Sequence, residues 1–281
     1  MENKIVFIDV DGTLVDNTNS VPLSAQDACK AARKNGHKLI LSTGRSKPEI
    51  YKDILDIGFD GIIGGGGSFI ELEEEIIMHE TFPAELIKEL KDFFKHNHLE
   101  YYLETNDGLY PSDNFKASTT KMFAKLFKGE DAIPQDYSEA FDKFFNTMTE
   151  GKTGEIENGV NKICVYTENG EAIEEMNEKF KSDIRFVPYH NPIFGSFSGE
   201  VTLPDINKAN SIQILIDHLN IPVENTIAIG DGINDIEMFD FCNISVAMGN
   251  SVDALKAVAD IITEDVNNEG FKKAFLDLKL I

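Results

Sequence analysis

The sequence predicts an α/β protein, a doubly wound, Rossmann-like parallel sheet core carrying an inserted α+β domain. Strand and helix signals alternate through residues 1–81, and the same alternation returns from Ile212 onwards. Between the two stretches the texture turns to amphipathic helices and aromatic strands. Ile5–Ile8 is a short apolar run with no polar alternation, as in a strand buried on both faces. Ala25, Ala28, Cys29 and Ala32 fall at i, i+3, i+4 and i+7, a helix closed by Gly36 in the C′ position. Lys38–Ser42 is a second β-rich run. Lys47–Ile57 reads as a second helix, with Ile50 and Ile54 one turn apart, and Gly61–Ile63 as a third strand. The β-α-β-α-β order implies parallel pairing with right-handed crossovers.

In the C-terminal part, Ile212, Leu215, Ile216 and Leu219 form a helical stripe ended by Asn220 and Pro222. Thr226–Gly230 follows as a strand, Asn234–Phe241 as a helix and Ile244–Ala247 as another strand. Val252–Ala259, Ile261-Ile262 and Phe271–Leu278 add helix, strand and helix. The insertion holds a helix at Ala84–His96 and a strand pair at Leu99–Glu104 and Gly108–Tyr110. A Phe-rich helical stretch, a strand at Lys162–Thr167 and a helix at Glu171–Lys181 complete it. The expected division is a core of residues 1–81 and 189–281 around an insertion of 82–188. Phe82-Pro83 and the neighbourhood of Val187-Pro188 serve as linkers.

Composition narrows the class of partner. Hydrophobic content of 42% over 281 residues is enough for a sizeable core. Lys and Arg number 26 against 49 Asp and Glu, a net charge of −23. A field of that sign repels nucleic acid and anionic lipid, which excludes both as general partners. It also repels phosphorylated molecules, so a site for one needs a metal ion or a local cluster of cations. Cys29, Cys164 and Cys242 are far apart and set among apolar residues, as for reduced, buried thiols. No CxxC spacing suggests zinc. The opening Met-Glu-Asn-Lys leads straight into a strand, which argues against a secretory signal, and no apolar run reaches membrane-span length. The expected location is the cytoplasm.

In open parallel sheets, ligands bind beyond the carboxyl ends of the strands. Asp9 and Asp11 follow the first strand, Thr43-Gly44-Arg45 the second, and Asp231 with Asn234 and Asp235 the strand Thr226–Gly230. Lys208 stands near the start of a helix. Alone, the Asp-x-Asp-Gly run is ambiguous, because such runs also occur in turns and calcium loops. Together these residues supply carboxylates for Mg²⁺, a hydroxyl and backbone N–H groups for phosphate oxygens, and an ammonium.

Four motifs in order carry a family resemblance: Asp9-Val10-Asp11-Gly12-Thr13-Leu14, Ser42-Thr43-Gly44-Arg45, Asn207-Lys208-Ala209, and Gly230-Asp231-Gly232-Ile233-Asn234-Asp235. The chain resembles the haloacid dehalogenase (HAD) superfamily of aspartate-nucleophile phosphatases, and within it the Cof-type members with a large α+β cap. The resemblance implies a Mg²⁺-dependent phosphatase acting on a small phosphorylated metabolite through an aspartyl-phosphate. Asp9 would be the nucleophile and Asp11 the proton shuttle. Asp9, Asp231 and the backbone carbonyl of Asp11 would hold Mg²⁺. Thr43, Gly44, Arg45 and Asn234 would bind phosphate or substrate, and Lys208 would neutralise charge. Asp235 would orient Lys208 or a metal-bound water. A phosphotransferase or phosphomutase would use the same core motifs, and a silent sensor would lack one of the two aspartates.

Plainer readings stand beside these. Thr43-Gly44 also fits a strand-exit turn, Arg45 a partner for a surface carboxylate, Lys208 a solvated lysine, and Asp235 an acid favoured by a helix dipole. Gly64–Gly67 lacks the Lys-Ser/Thr of a phosphate-binding P-loop and reads as a flexible connector, where the family commonly has Asn-Gly. His96-Asn97-His98 reads as a polar helix end. Tyr101, Tyr102 and Tyr110 read as sheet-to-helix packing, with a pocket lining as the alternative. Neither the substrate nor the oligomeric state is legible.

Overall fold

Ile5–Ile8 (β1) has no accessible surface on either face, and the larger sheet is built outwards from it. Val6 and Ile8 enter one apolar cluster with Ala25, Cys29, Phe271 and Phe275. Ile5 and Phe7 enter another with Ile212, Leu215 and Met238. This alternation into two cores forces a parallel strand with helices on both sides. The computed structural model describes residues 3–16, 18–127, 129, 133–189 and 195–281. They fall into two units, Met1–Arg45 with Ile50–His79 and Ile206–Ile281, and Ser46–Glu49 with Glu80–Asp205.

The first unit contains an eight-stranded sheet. Its strands are β1, β2 (Lys38–Ser42), β3 (Gly61–Gly64), β4 (Phe69–Leu72), β5 (Glu75–His79), β11 (Thr226–Gly230), β12 (Ile244–Ala247) and β13 (Ile261–Ile262). Their order is β13-β12-β11-β1-β2-β3-β4-β5. All neighbours from β13 to β3 pair in parallel, and β4 and β5 add an antiparallel hairpin. From β1 the chain winds one way through β2 and β3, and later the other way through β11 to β13. The crevice beyond the ends of β1 and β11 is therefore the switch point where such sheets bind ligands. Helix α1 (Leu23–Lys34) ends as expected: the Gly36 and His37 N–H groups donate back to Arg33 and Ala32 (2.9 and 3.1 Å), a Schellman closure.

Two stretches differ from the sequence expectation. Residues 47–57 are a 3₁₀ turn, Lys47–Glu49, and a short helix, α2 (Lys52–Leu55), separated by extended Tyr51 (φ −68°, ψ 156°). The first turn closes on itself, with Glu49 N–H on Ser46 O and Ser46 N–H on the Glu49 carboxylate, and it belongs to the second unit. One helix therefore cannot run through both. The run Gly64–Gly67 is not a loose connector. Ser211 Oγ donates to Gly67 O at 2.6 Å, and a Cβ on Gly67 (φ +113°) would lie 2.4 Å from the Asn207 carbonyl oxygen. Only glycine fits that close approach.

The second unit carries an antiparallel sheet of β6 (Glu100–Thr105), β7 (Leu109–Pro111), β8 (Val160–Tyr166), β9 (Arg185–Pro188) and β10 (Gly199–Thr202), in the order β7-β6-β8-β10-β9. One face packs on α3 (Ala84–His96) and α6 (Gly170–Lys179), through Leu90, Phe94, Ile173 and Met176. The other face carries Tyr102, Cys164 and Tyr166 against Phe115 and Phe144, from α4 (Phe115–Phe127) and α5 (Gln135–Asn146). Tyr101 and Tyr102 are thus packing residues, 4.8 Å from the Phe94 ring and 5.3 Å from the Phe115 ring. Lys162 lies between Glu104 and Glu200 (3.3 and 2.9 Å), and Cys164 Sγ donates to Glu104, a buried polar network with its charges paired.

The unit reaches Asp205, beyond the boundary expected at residue 188, because β10 pairs with both β8 and β9. Part of the expected linker, residues 190–194, lies outside the described residues. All three cysteines are free and buried. Among the described residues no helix is long and apolar enough to cross a membrane.

The turn between β4 and β5 places Glu73 and Glu74 at φ 49° and 71°. Two central residues with positive φ suit a type I′ hairpin turn, which favours Asn-Gly. Replacing the pair by Glu73→Asn and Glu74→Gly is expected to stabilise the first unit by about 1 kcal/mol. Thermal unfolding should show a midpoint raised by roughly 2–4 °C.

Candidate active site

The site residues are set by three strand ends and one helix start. Asp9 directly follows β1, and its N–H still donates to Ile229 O of β11 at 3.0 Å. Asp231 directly follows β11 and Thr43 follows β2. Lys208 is the first residue of α7 (Lys208–Leu219), whose N-cap is the Asn207 side chain accepting from Asn210 N–H at 2.8 Å. A helix N-terminus disfavours a cation, and the Lys208 side chain is only 2% exposed. What offsets both costs is a pair of carboxylates. Lys208 Nζ donates to Asp9 Oδ1 and to Asp235 Oδ1, each at 2.6 Å.

Asp235 is itself fixed. Its Oδ2 accepts the N–H groups of Asp231 and Gly232, both at 2.9 Å, and the residue is fully buried. Both of its oxygens are thus occupied, one orienting Lys208 and the other bracing the backbone at Asp231. Burial pushes the Asp9 carboxyl well above the usual range, Asp235, Asp231 and Asp11 add to that, and Lys208 opposes it. Burial and Asp235 push Asp231 up to about 7. Burial alone would push the Lys208 ammonium down, but Asp235 and Asp9 outweigh it and hold it above the ordinary lysine range. These directions compete for one proton across the Lys208–Asp9 contact. We assign the charge to the ammonium, which has two carboxylate oxygens at 2.6 Å. Three acidic groups around one cation leave surplus negative charge in a largely buried place.

A metal ion fits that surplus. Asp9, Asp231 and Asp235 each place one carboxylate oxygen within 4.8 Å of the others, those of Asp235 being already engaged by Lys208 and two backbone N–H groups. Hard oxygen donors of this kind suit a divalent cation. The Asp11 side chain is not in the group. It is 63% exposed and gripped at both oxygens by Arg45, whose Nε and Nη2 lie 2.9 and 2.6 Å away. Arg45 also reaches the Asn19 side chain and lies over the Tyr51 ring. Thr43 is buried, with Oγ1 accepting the Arg45 N–H at 3.1 Å. The Asn234 side chain lies beside Gly44, 3.9 Å from where a Cβ would stand.

Two more side chains join this group. Thr13 Oγ1 donates to Asp231 Oδ1 at 3.2 Å, and Asn250 Nδ2 lies 3.4 Å from Asp231 Oδ2 and 2.7 Å from Gly12 O. Thr13 lies within the first motif, so its neighbourhood was legible. Asn250 follows β12, outside every motif, and nothing in its spacing marks it. Gly12 (φ +78°) must be glycine, since a Cβ there would lie 2.2 Å from Asp231 Oδ2.

A haloacid dehalogenase-like hydrolase family model matches residues 6–275. The Bacillus subtilis protein YkrA, named provisionally as a phosphatase, is 27% identical over 287 residues, covering 100% of both chains. YwtE of the same organism, named a 5-amino-6-(5-phospho-D-ribitylamino)uracil phosphatase, is 24% identical across 98% of this chain and 97% of its own. Among solved structures, BT1666 from Bacteroides thetaiotaomicron, a phosphatase of the HAD superfamily, matches with TM-score 0.76 and 26% identity. That match covers 99% of this chain and 96% of that one. On a family model that spans nearly the whole chain and relatives aligned end to end, the chain belongs to the haloacid dehalogenase-like hydrolases, and among them to the phosphatases.

Proposed function

We propose that the protein is a cytoplasmic, Mg²⁺-dependent phosphatase for a small phosphorylated metabolite, working through an aspartyl-phosphate on Asp9. The observation that carries this reading is the buried ammonium of Lys208 between Asp9 and Asp235, with Asp231 alongside. In this reading Asp9 and Asp231, with the backbone carbonyl of Asp11, hold the cation, which when bound neutralises phosphate charge. Asp9 is the carboxylate placed to attack phosphorus. As the ester P–O bond breaks, Asp11 gives its proton to the leaving oxygen. It then takes a proton from the water that cleaves the aspartyl-phosphate, which releases inorganic phosphate.

The neighbouring groups have supporting roles in that cycle. Lys208 offsets charge at the nucleophile, and Asp235 keeps its ammonium aimed there. Thr43 and the Gly44 amide are the donors we assign to the phosphoryl oxygens, with Asn234 beside them. Arg45 holds both Asp11 oxygens. The hydroxyl oxygen of a protonated Asp11 is the poorer acceptor, so in this reading the Arg45 contact to that oxygen weakens when Asp11 carries its proton. Substrate choice we assign to the second unit, which contains none of these residues. YwtE is named for a phosphate monoester on a polyol chain, so alkyl phosphates of that kind and sugar phosphates lead the candidates.

A panel of phosphorylated metabolites with Mg²⁺, read as free phosphate, tests the activity. Phosphoryl transfer to a second acceptor without phosphate release would instead make the protein a transferase. Asp9→Asn is expected to lower turnover by at least about 10³-fold, since it removes the nucleophile. Undiminished phosphate release by that variant would sink the mechanism. Chelation with EDTA should abolish activity and added Mg²⁺ should restore it, while activity that survives chelation would refute metal dependence.

A further inference from the structure

We propose that Asn250 is a positioning residue for the divalent cation, pinning Asp231 and the Gly12 peptide to one side-chain amide. The inference rests on the metal-dependent reading above. Gly12 is the weak point of the site. It must be glycine to clear the Asp231 carboxylate, and glycine is the residue least able to hold a peptide plane in place. The peptide before it carries the Asp11 carbonyl proposed as a ligand. Its Gly12 N–H is tied to Val15 O at 3.1 Å. The peptide after it is tied through Gly12 O to Asn250 Nδ2 at 2.7 Å.

The same nitrogen lies 3.4 Å from Asp231 Oδ2, while Thr13 Oγ1 holds Oδ1. The two halves of the cation site, the carboxylate from β11 and the loop after β1, thus share one donor. The orientation of the amide is not arbitrary. Val266 N–H donates to Asn250 Oδ1 at 3.0 Å, and Gly12 O can only accept, so Nδ2 must face the site. The loop that carries Asn250 is anchored to the same place: Met248 N–H donates to Gly230 O, and Val252 N–H to Asp231 O at 3.1 Å. Asn250 is therefore held from behind while its Nδ2 holds the site in front. Groups that orient a metal ligand set affinity for the ion even when they never touch it.

The test is Mg²⁺ binding by titration calorimetry on the full chain, without substrate. Asn250→Ala is expected to weaken Mg²⁺ binding by roughly ten- to a hundredfold. At saturating Mg²⁺, its kcat should recover and its KM for a phosphate ester should stay within about twofold of wild type. A purely structural role would lower the unfolding midpoint and leave the Mg²⁺ affinity where it was. An unchanged affinity in the folded variant overturns the proposal. Should Asn250→Ala not fold, the wild-type Asn250 side-chain amide can be followed by NMR during a Mg²⁺ titration. Its resonances should move with the calorimetric affinity, and resonances that stay fixed refute the role. If the wild type binds no Mg²⁺, the metal-dependent reading itself fails, and that result differs visibly from the failure of Asn250 alone.

Discussion

One buried ammonium decides how the rest of the first unit is arranged. Taking Lys208 out of water costs several kcal/mol, and placing it at the start of α7 sets it against the helix dipole as well. The contacts to Asp9 and Asp235 offset this only because both carboxylates are held still. Asp9 is fixed by strand pairing and Asp235 by two backbone N–H groups. The switch point of the sheet is the place where strand ends from two directions of winding can supply such rigid partners. The apolar packing on both faces of β1 is thus part of the site's electrostatics, since a looser sheet would not keep these charges 2.6 Å apart.

The same constraint accounts for the crowding around Asp231. With three acidic groups and one lysine, the site carries negative charge that only a cation or a proton can relieve. The net charge of −23 adds little to that local balance, because surface charges are screened over about 10 Å in salt. It bears instead on the approach of an anionic substrate, which has to be met by local cations. Lys208 and Arg45 are the cations that the site supplies, and both are committed to carboxylates in this structure.

Sequence legibility followed the kind of physical signal involved. The strands β1, β2 and β11 and the helices α1, α3 and α7 were readable because apolar periodicity and end signals such as Gly36 and Asn220 agree. The β4–β5 hairpin was not, since Glu73-Glu74 occupies a turn whose usual mark is Asn-Gly. Strand β10 begins with Gly199 beside a serine- and glycine-rich stretch, so it reads as loop until β8 and β9 are seen to flank it. Residues 47–57 have helical spacing, but the first turn is held in the second unit, and local periodicity carries no information about that. At the site, the charged residues were legible from their motifs. The Arg45–Asp11 pair was open in the sequence, because Arg45 fitted both a substrate and a carboxylate.

Charge must be supplied by particular side chains, so residues that provide it recur in recognisable order along the chain. Direction is different. A carboxylate or a peptide plane can be aimed by any donor that the fold brings within reach, from a threonine inside the first motif to an asparagine far from it. That is why Asn250 leaves no trace in spacing, and why the place of Thr13 in the first motif does not reveal its aim, although each lies within reach of one oxygen of Asp231. The chemistry of the site is accordingly written in a few motif residues. The precision with which they are held depends on contacts that only the folded sheet reveals.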